Sequence, residues 1–491
     1  MRILPKTTRF GVSALAAWIF FLHPSAALSA GPEIFLQEEP ETYLVIDKLE
    51  GLGLLPGLMT GDRGLEAREV SLEAVKSEEE GDDPFVEGMI RFLQLGGESK
   101  WDFRLRAALE SSREGRVPPN AQGLPIPNNG GIRVGGFFRT APAGWMALQA
   151  RGDYLAGGEG GPIGRLEETS IRLGWPQATL EAGRFSLWWG PGRHGALLFT
   201  TNAEPLTGVR IRNPRPIPLG WPLRFLGLFQ YDLFVARLEK GRPIPHSLLS
   251  GIRLAIKPAS WLEIGASHAM HFGGEGRSEG LSTYWGVFTG QRETEGGTPL
   301  GNSLASVDAK VRLPFRAQPI ILYVEGGGED QSRPGVPSRW AWLGGIFFPS
   351  IGTLNKADFR IEVADTYDFS SGVRGVWYRH GASNEGYAHR YRGQILGHHM
   401  GTDARDFFLE AHYFLLSSSY LEMNLDLTQR LFPGPAREDS RRTSFAFIGW
   451  LTRNLRGEGR LAFGRVSNEG GTAGSNSRDT SIQAVLAYQY R

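Results

Sequence analysis

Residues 405–415 read RDFFLEAHYFL, and two kinds of side chain alternate along them. Apolar side chains occupy every second position from Phe407 to Leu415. The alternate positions, starting one residue earlier, include Asp406, Glu410 and His412. Successive side chains of a strand point to opposite faces, so this pattern predicts a strand with one apolar face and one charged face. Such a strand suits a boundary between an apolar medium and water.

The same alternation recurs after Ser99. Clear instances are Trp101–Glu110, Ala305–Leu313, Ala357–Ala364 and Tyr420–Thr428. The pattern predicts about eighteen to twenty strands, mostly about eight to eleven residues long. Strands of soluble sandwiches average about five or six residues, and their polar faces are mainly short or neutral. Long strands with a charged face in one strand after another favour a closed antiparallel outer-membrane β-barrel over soluble all-β domains, since an open edge in lipid would leave backbone groups unpaired.

Residues 1–30 have the features of a secretory signal peptide. Arg2, Lys6 and Arg9 precede the apolar segment Phe10–Leu22, and small residues follow up to position 30. The apolar segment is shorter than the about 20 residues that a spanning helix needs. No later segment approaches about eighteen consecutive apolar residues. We therefore expect the mature protein to cross the inner membrane and to contain no membrane-spanning helix.

Residues 31–98 are predicted to form a periplasmic helical region, and residues 99–491 the transmembrane barrel. Helical spacing of apolar residues is visible in Glu41–Leu55, Leu65–Glu80 and Phe85–Leu95. Helices this short need a partner that buries their apolar stripes. We expect them to pack on or in the periplasmic mouth of the barrel.

The composition excludes several classes of protein. Lys and Arg total 53 and Asp and Glu total 52, so the chain lacks the basic excess of a nucleic-acid-binding protein. It contains no cysteine, which excludes disulfides, a thiolate nucleophile and a cysteine-ligated zinc site. The 66 glycines fit a fold with many turns.

The segment SLWWGPGRHGALLFTTNAEP at 186–205 interrupts the strand pattern. It follows the predicted strand at 178–186 and opens a proline-rich stretch at about 190–222, which we interpret as one long connection. Connections of this length inside a barrel are uncommon unless they are functional or fold into the lumen. We expect the tight Gly190-Pro191-Gly192 bend to shape such an inserted loop.

Two blocks of sequence resemble the capsule-assembly Wzi family of outer-membrane proteins. The first is WWGPG at 188–192, followed by LLFTTNAEPLTGVRI at 197–211 and LGLFQYDLFVARLEKGR at 226–242. The second is WYRHG at 377–381, followed by GYAHRYRGQILGHHMGTDARDFF at 386–408. The family commonly has Gly-His-Pro-Met-Gly in the second block, and His399 stands here at the proline position. The resemblance extends from about residue 40 to the C-terminus and implies eighteen strands.

The resemblance also implies a function. The protein would bind exported capsular polysaccharide or exopolysaccharide and help to attach it to the cell surface, as a lectin-like binder that is not an enzyme and needs no cofactor. We expect a monomer in the bacterial outer membrane whose partners are this polymer, outer-membrane lipid and the barrel-assembly machinery, with no nucleic acid. The alternative is a porin or diffusion channel for sugars or oligosaccharides, since eighteen strands are wide enough for a pore.

Candidate residues fall into two groups. Aromatic faces and forked donors suit sugar rings, hydroxyls and carboxylates. The predicted polysaccharide-binding residues are Trp377, Tyr378, Arg379, His380, Tyr387, Arg390 and Tyr391, for which we expect surface exposure. The predicted structural residues of the family motifs are Trp188, Trp189, Gly190, Pro191, Gly192, Asn202, Gly397, His398 and Asp403.

Metal and catalytic sites are not predicted. His268 and His271 would point to opposite faces of a strand, which makes them poor ligands for one ion. His398 and His399 with Asp403 and Asp406 could form a loop site, but no ligand spacing enforces it. The sequence also lacks the Gly-x-Ser-x-Gly nucleophile elbow and the phosphate-binding P-loop.

Overall fold

A computed structural model describes most of the chain. The described residues are 40–77, 83–96, 101–175, 177–289, 294–295, 298–313, 315, 317–333, 336–367, 375–379, 386–431 and 434–490. The predicted signal peptide and His380 lie outside them. Three helices come first: α1 (Pro40–Leu52), α2 (Ala67–Lys76) and α3 (Pro84–Gly96).

Long strands make up most of the remainder. They are β1 (Trp101–Ser112), β2 (Gly131–Ala143), β3 (Met146–Gly157), β4 (Thr169–Trp175), β5 (Ala178–Phe185), β6 (Leu206–Arg212), β7 (Leu228–Arg237), β8 (Leu248–Ala259), β9 (Leu262–Phe272), β10 (Gly301–Leu313), β11 (Ile320–Arg333), β12 (Val336–Phe348), β13 (Ala357–Asp365), β14 (Ala404–Leu416), β15 (Ser419–Arg430), β16 (Glu438–Trp450), β17 (Leu455–Ser467) and β18 (Asn476–Tyr490). Short pieces are Ile163–Leu166, Ile217–Pro218, Thr294–Glu295, Thr298–Pro299, Arg390–Tyr391, Gln394–Ile395 and the helix α4 (Leu281–Phe288).

Each long strand pairs antiparallel with the next, and the last pairs with the first. β18 lies beside β1 with Tyr490 opposite Phe103 and Ser481 opposite Ser112. The described strands therefore form a closed barrel of 18 strands. Closure pairs the backbone groups that a sheet edge would expose to lipid. The predicted fold class is confirmed.

The barrel wall separates apolar from charged side chains as the alternation predicts. In β10, Asp308 and Lys310 are buried toward the lumen, whereas Val307, which precedes Asp308, is 59% exposed on the outside. Five of the eight exposed tryptophans that the structure describes lie near the end of the barrel that has the shortest turns: Trp101, Trp145, Trp175, Trp221 and Trp261. An apolar band with an aromatic girdle is the surface that outer-membrane barrels present to lipid. None of the described helices has the length and apolar character needed to cross a membrane.

The two ends of the barrel differ in the length of their connections. Tight turns join β2 to β3, β4 to β5, β8 to β9 and β14 to β15. The opposite end carries long connections, notably 186–205 and 366–403. In barrels of this class the short turns face the periplasm and the long loops face outward. The three described helices lie at the short-turn end, and the periplasmic location of residues 31–98 stays a prediction.

The helices share an apolar core with that end of the barrel. Leu44, Ile46 and Ile90 pack in one cluster with Phe414 of β14 and Ile448 of β16. The Lys48 ammonium lies 3.4 Å from the Asp358 carboxylate at the start of β13, and both side chains are buried. The helical region is thus fixed inside the mouth of the barrel by apolar packing and by buried charges.

The interpretation of 190–222 as one connection is wrong. Leu206–Arg212 inside it is the barrel strand β6, paired with β5 and β7. Proline flanks this segment at Pro205 and Pro214, where it does not interrupt the ladder. The inserted loop therefore ends at residue 205, and residues 213–227 form a connection at the short-turn end.

Candidate functional site

Loop 186–205 enters the lumen and is anchored by its tryptophans. The Trp189 indole is fully buried, and its Nε1 donates to Asp232 Oδ2 at 3.0 Å. The same ring packs edge-on against Phe199, 4.9 Å between centroids. Trp188 Nε1 donates to Gly192 O at 3.1 Å and so closes the bend on itself. Gly190 has φ +131°, and a Cβ atom added to it would lie 2.8 Å from Glu325 Oε2. A larger residue would therefore be both strained and obstructed.

A carboxylate of the barrel wall holds the tip of this loop. The backbone N–H groups of Arg193, His194 and Gly195 donate to the two Glu362 carboxylate oxygens at 2.8, 3.1 and 2.9 Å. Leu197 N donates to Glu325 Oε2 at 3.0 Å in the same way. Hydrogen bonds to an ionised acceptor are stronger than neutral ones. Sequence reasoning did not single out these glutamates, since charged lumen positions occur on almost every strand.

Loop 366–403 packs directly on the first loop. Tyr378 OH donates to Leu197 O at 2.6 Å, and His398 N donates to Tyr378 OH at 2.9 Å. Asn202 Nδ2 donates to Ile395 O at 3.1 Å. These bonds join the two loops into one body inside the lumen.

A histidine pair lies at the centre of this body. His389 Nε2 lies 2.6 Å from Leu198 O, and His389 Nδ1 lies 2.9 Å from His271 Nε2. Burial lowers the pKa of His389 to about 4, so the ring is neutral near pH 7. Since a carbonyl can only accept, the neutral His389 donates from Nε2 and accepts from His271 at Nδ1. Burial, and then the neighbouring His399, holds the pKa of His398 well below its usual range.

The expected surface exposure of the aromatic candidates is wrong. Their rings are buried in the core that the two loops form with the barrel wall: Trp377 at 2%, Tyr378 at 0%, Tyr387 at 0% and Tyr391 at 3% exposure. The physical reason is that the lumen of a wide barrel must be filled, and aromatic side chains fill most volume. Arg379 and Arg390 are half-buried. The rings therefore support the loop rather than presenting a face to solvent.

The structural candidates lie at tight or shared positions in the same core. A Cβ atom on Gly397 would clash with the backbone oxygen of Leu197, so no larger residue fits there. Asp403 Oδ2 accepts a hydrogen bond from Gly375 N at 2.6 Å. His398 Nδ1 accepts from Met400 N at 3.2 Å. These contacts support structural roles for the three residues.

An arginine cluster lies at the loop end of the lumen and was not predicted as a group. Arg165, Arg184 and Arg392 place guanidinium nitrogens 3.1, 3.2 and 3.3 Å from the carboxylate of Glu204. Arg392 stands at the tip of the hairpin formed by Arg390–Tyr391 and Gln394–Ile395, and its side chain is 50% exposed. Arg165 also pairs with Glu167, so the three guanidiniums face two carboxylates and the cluster keeps an excess of one positive charge. No sequence signal joins these residues, because they lie far apart along the chain.

A polar cavity of about 470 Å³ remains between the inserted loops and the wall formed by β1–β3 and β14–β18. The arginines that line it are Arg104, Arg106, Arg133, Arg151, Arg193, Arg442, Arg456 and Arg460. The acidic residues that line it are Glu110, Asp153, Glu410, Glu422, Asp426 and Glu458. Among the described residues, the lumen is thus packed on one side and retains a hydrophilic space on the other.

Comparison with known proteins fits this architecture. The model of the family described as capsule assembly protein Wzi matches residues 119–480. The structure of Wzi from Escherichia coli, described as an outer membrane protein involved in group 1 capsule assembly and a carbohydrate binding beta-barrel, has the same fold. Its TM-score is 0.76 at 21% identity, over 93% of this chain and 99% of that one.

A curated relative matches part of the chain. It is an uncharacterized 55.8 kDa protein in the cps region of Klebsiella pneumoniae, 31% identical over 273 residues. The match covers 54% of this chain and 53% of the relative, about half of each. The family match extends over most of the barrel and both inserted loops. The chain therefore belongs to the capsule assembly protein Wzi family and is an outer-membrane β-barrel protein.

Proposed function

We propose that this protein binds exported capsular polysaccharide or a related exopolysaccharide at its loop end and helps to attach the polymer to the cell surface, without catalysis. The observation that carries the proposal is the arginine cluster around Glu204, in which Arg165 and Arg184 come from barrel strands and Arg392 comes from the packed loops. Forked guanidinium donors match the carboxylates and phosphates that acidic surface polymers carry. The carbohydrate binding and the cps region ascribed to the two relatives agree with it.

The closed centre of the barrel supports a binder more than a conduit. Residues of the helical region and of loop 186–205 meet in the lumen, where Gly190 N donates to Gly61 O at 2.9 Å and Arg63 N donates to Trp188 O at 3.1 Å. A polymer held outside this closure would be retained by many weak contacts along its repeats. Each arginine contact contributes on the order of 1 kcal/mol, so several substitutions are needed for a large effect.

The test uses cells that lack the protein and are complemented with variants. We expect Arg392→Ala to lower the amount of polymer retained on washed cells, and the double change Arg184→Ala with Arg392→Ala to lower it further. Arg437→Ala is the matched control, since this arginine is 55% exposed and pairs with Asp439 away from the cluster. The abundance of the folded barrel is measured as the intensity of the band that runs with the mobility of the unboiled protein on gels. Tyr387 is left unchanged, because its buried OH donates to Gly273 O at 3.0 Å and its loss would disturb the loop.

Retention by the double variant equal to that of the parent, at equal barrel abundance, would refute the arginine cluster as the binding site. A second candidate function is supported by the cavity of about 470 Å³ with its excess of arginines. It is a narrow diffusion path for anionic sugars. Anion-selective conductance through the purified protein, with unchanged polymer retention in cells that lack it, would favour that function.

A further inference from the structure

We propose that the lumen contains a Zn²⁺ site formed by His194, His399, Asp406 and Asp426. One ligand atom from each residue lies within 4.8 Å of the other three. His194 comes from loop 186–205, His399 from loop 366–403, Asp406 from β14 and Asp426 from β15. This site is independent of the arginine cluster and of the polysaccharide proposal.

The distances fit a tetrahedral ion. Zn–N and Zn–O bonds of about 2.0–2.1 Å place neighbouring ligand atoms of a tetrahedron about 3.3–3.4 Å apart. His194 Nε2 lies 3.5 Å from Asp406 Oδ2 and 3.4 Å from Asp426 Oδ2. His399 Nε2 lies 3.8 Å from Asp406 Oδ1 and 3.6 Å from Asp426 Oδ2. The four distances exceed hydrogen-bond length and lie near the edge of that tetrahedron, although the two histidines approach different oxygens of Asp406.

The imidazole nitrogens are buried without hydrogen-bond partners. Among the described residues, His194 Nε2 and both ring nitrogens of His399 make no hydrogen bond. The two side chains are only 10% and 8% exposed. His194 Nε2 and His399 Nε2 face the aspartates at 3.4–3.8 Å, farther than an ordinary hydrogen bond, and a metal ion between them would be a partner for both nitrogens. A divalent cation would also balance the two aspartate charges.

Neighbouring groups orient the ligands. Thr428 Oγ1 lies 2.7 Å from Asp406 Oδ1 and 3.1 Å from Asp426 Oδ1, which fixes both carboxylates. The His194 ring stacks on Phe408 at 3.7 Å with an interplanar angle of 3°. Such outer-shell contacts are typical of metal sites. His194 and Asp426 line the polar cavity, which gives an ion a route of entry.

A second histidine–carboxylate group in the lumen shows why only the first is proposed. Glu410, His412 and Glu422 also lie close together. However, His412 Nδ1 lies 2.7 Å from Asp358 Oδ1, and Arg460 Nη1 is 2.7 Å from Glu422 Oε1. The histidine and one carboxylate of this group therefore already have close partners outside it. In the first group, Arg430 pairs with Glu438 at 2.6 Å. The interaction between Arg442 and Asp426 is a longer-range electrostatic attraction.

The chemistry of the ligand set favours zinc over calcium or magnesium. Imidazole nitrogen is a ligand of transition metals, whereas Ca²⁺ and Mg²⁺ prefer oxygen. Four protein ligands leave no open position, which is typical of a structural ion. The ion would connect both inserted loops to the barrel wall, at the level of the lumen where these loops are packed.

The test is calorimetric titration of ZnCl₂ into full-length protein that has been purified in detergent and stripped with a chelator. We expect one ion per chain, and at least about tenfold weaker binding in His399→Gln and in Asp426→Asn. His246→Gln is the control, since that side chain is 36% exposed and outside the group. Co²⁺ should give the absorption of a tetrahedral complex in the parent protein and lose it in His399→Gln.

Two results would overturn the site. One is the absence of stoichiometric Zn²⁺ binding by the parent protein. The other is equal affinity in the parent and in His399→Gln, with unboiled gel mobility confirming that both are folded. His399→Gln is the decisive variant, because the His399 ring makes no hydrogen bond among the described residues and its replacement removes none.

Discussion

Two parts of the chain enter the lumen from opposite ends, and different interactions hold them there. The helical region brings an apolar core of its own and adds ion pairs to the barrel, such as Arg360 to Asp47 at 3.1 Å and Lys310 to Glu50 at 2.8 Å. In the described residues of the inserted loops, the regular structure is limited to the short strands Arg390–Tyr391 and Gln394–Ile395. Backbone N–H groups of these loops donate to wall carboxylates such as Glu362, and their rings pack against inward residues of the strands.

The difference indicates which part can be separated from the barrel. The helical region behaves as a docked module, since its stripes pack mainly on one another. The loops have no core without the barrel wall, so they should fold only together with it. The helices should therefore be removable, whereas damage to the loop anchors should destabilise the whole barrel.

The largest effect is expected from deleting residues 40–96. The strands keep all their ladders, so the shortened barrel should still insert and keep its unboiled gel mobility. Loss of the docked module should speed the entry of small sugars into proteoliposomes several-fold. Unchanged sugar entry would mean that the loops close the lumen alone.

Breaking a loop anchor should have the next largest effect. Glu362→Gln removes the charge that accepts from three backbone N–H groups and from Tyr323 OH at 2.8 Å. Bonds to a charged acceptor contribute about 1.5–3 kcal/mol each and Gln retains one acceptor, so we expect a loss of about 2–4 kcal/mol. The measurement is the temperature at which the folded gel band disappears. Glu275→Gln, at a side chain 58% exposed, is the control and should leave that temperature unchanged.

Docking of the helical region should depend on pH through Asp62. Burial raises the pKa of this carboxyl to about 6, despite the neighbouring Arg212. The docked state therefore holds the proton more tightly, so the stabilisation is complete below the ordinary pKa of about 4 and is lost as pH rises through about 6. The difference between the raised pKa and the ordinary pKa of Asp62 corresponds to about 2–3 kcal/mol in the free energy of docking.

The measurement is sugar entry into proteoliposomes between pH 4.5 and pH 7.5. We expect slower entry at the lower pH in the parent protein, and little dependence in Asp62→Asn, which stays neutral. A pH dependence that persists in Asp62→Asn would assign the effect to another group.

The smallest effect is expected where the two loops touch each other. Asn202→Ala removes the bond from Asn202 Nδ2 to Ile395 O. A single neutral hydrogen bond contributes about 0.5–1.5 kcal/mol. The folded gel band should disappear at a slightly lower temperature, with no change in sugar entry. A drop as large as that of Glu362→Gln would show that the loops depend on each other more than on the wall.

The barrel could be predicted from the sequence because its signal is local. The predicted strand at 405–415 is observed as Ala404–Leu416, since lipid on one side and water on the other impose a strict period of two. β6 was missed because prolines flank it and its seven residues are short for a crossing. The three helices were found for the same local reason, through their apolar spacing.

The interior of the lumen could not be predicted, because it depends on contacts between distant segments. The aromatic residues Tyr378 and Tyr387 were singled out as binding residues, but no local pattern shows that the segment that carries them folds inward. Likewise His399 and Asp406 were considered together as ligands, whereas His194 and Asp426 join them only through the topology. Asp403 from that predicted set accepts a backbone hydrogen bond instead.

The decisive measurement is the conductance of single molecules of the intact protein in a planar bilayer. The helical region and the inserted loops meet at Gly61 and Gly190, and we infer that they close the lumen. We predict a conductance close to the bilayer baseline, which rises when residues 40–96 are removed. A stable, large and open conductance in the intact protein would contradict a closed binder and would favour the channel.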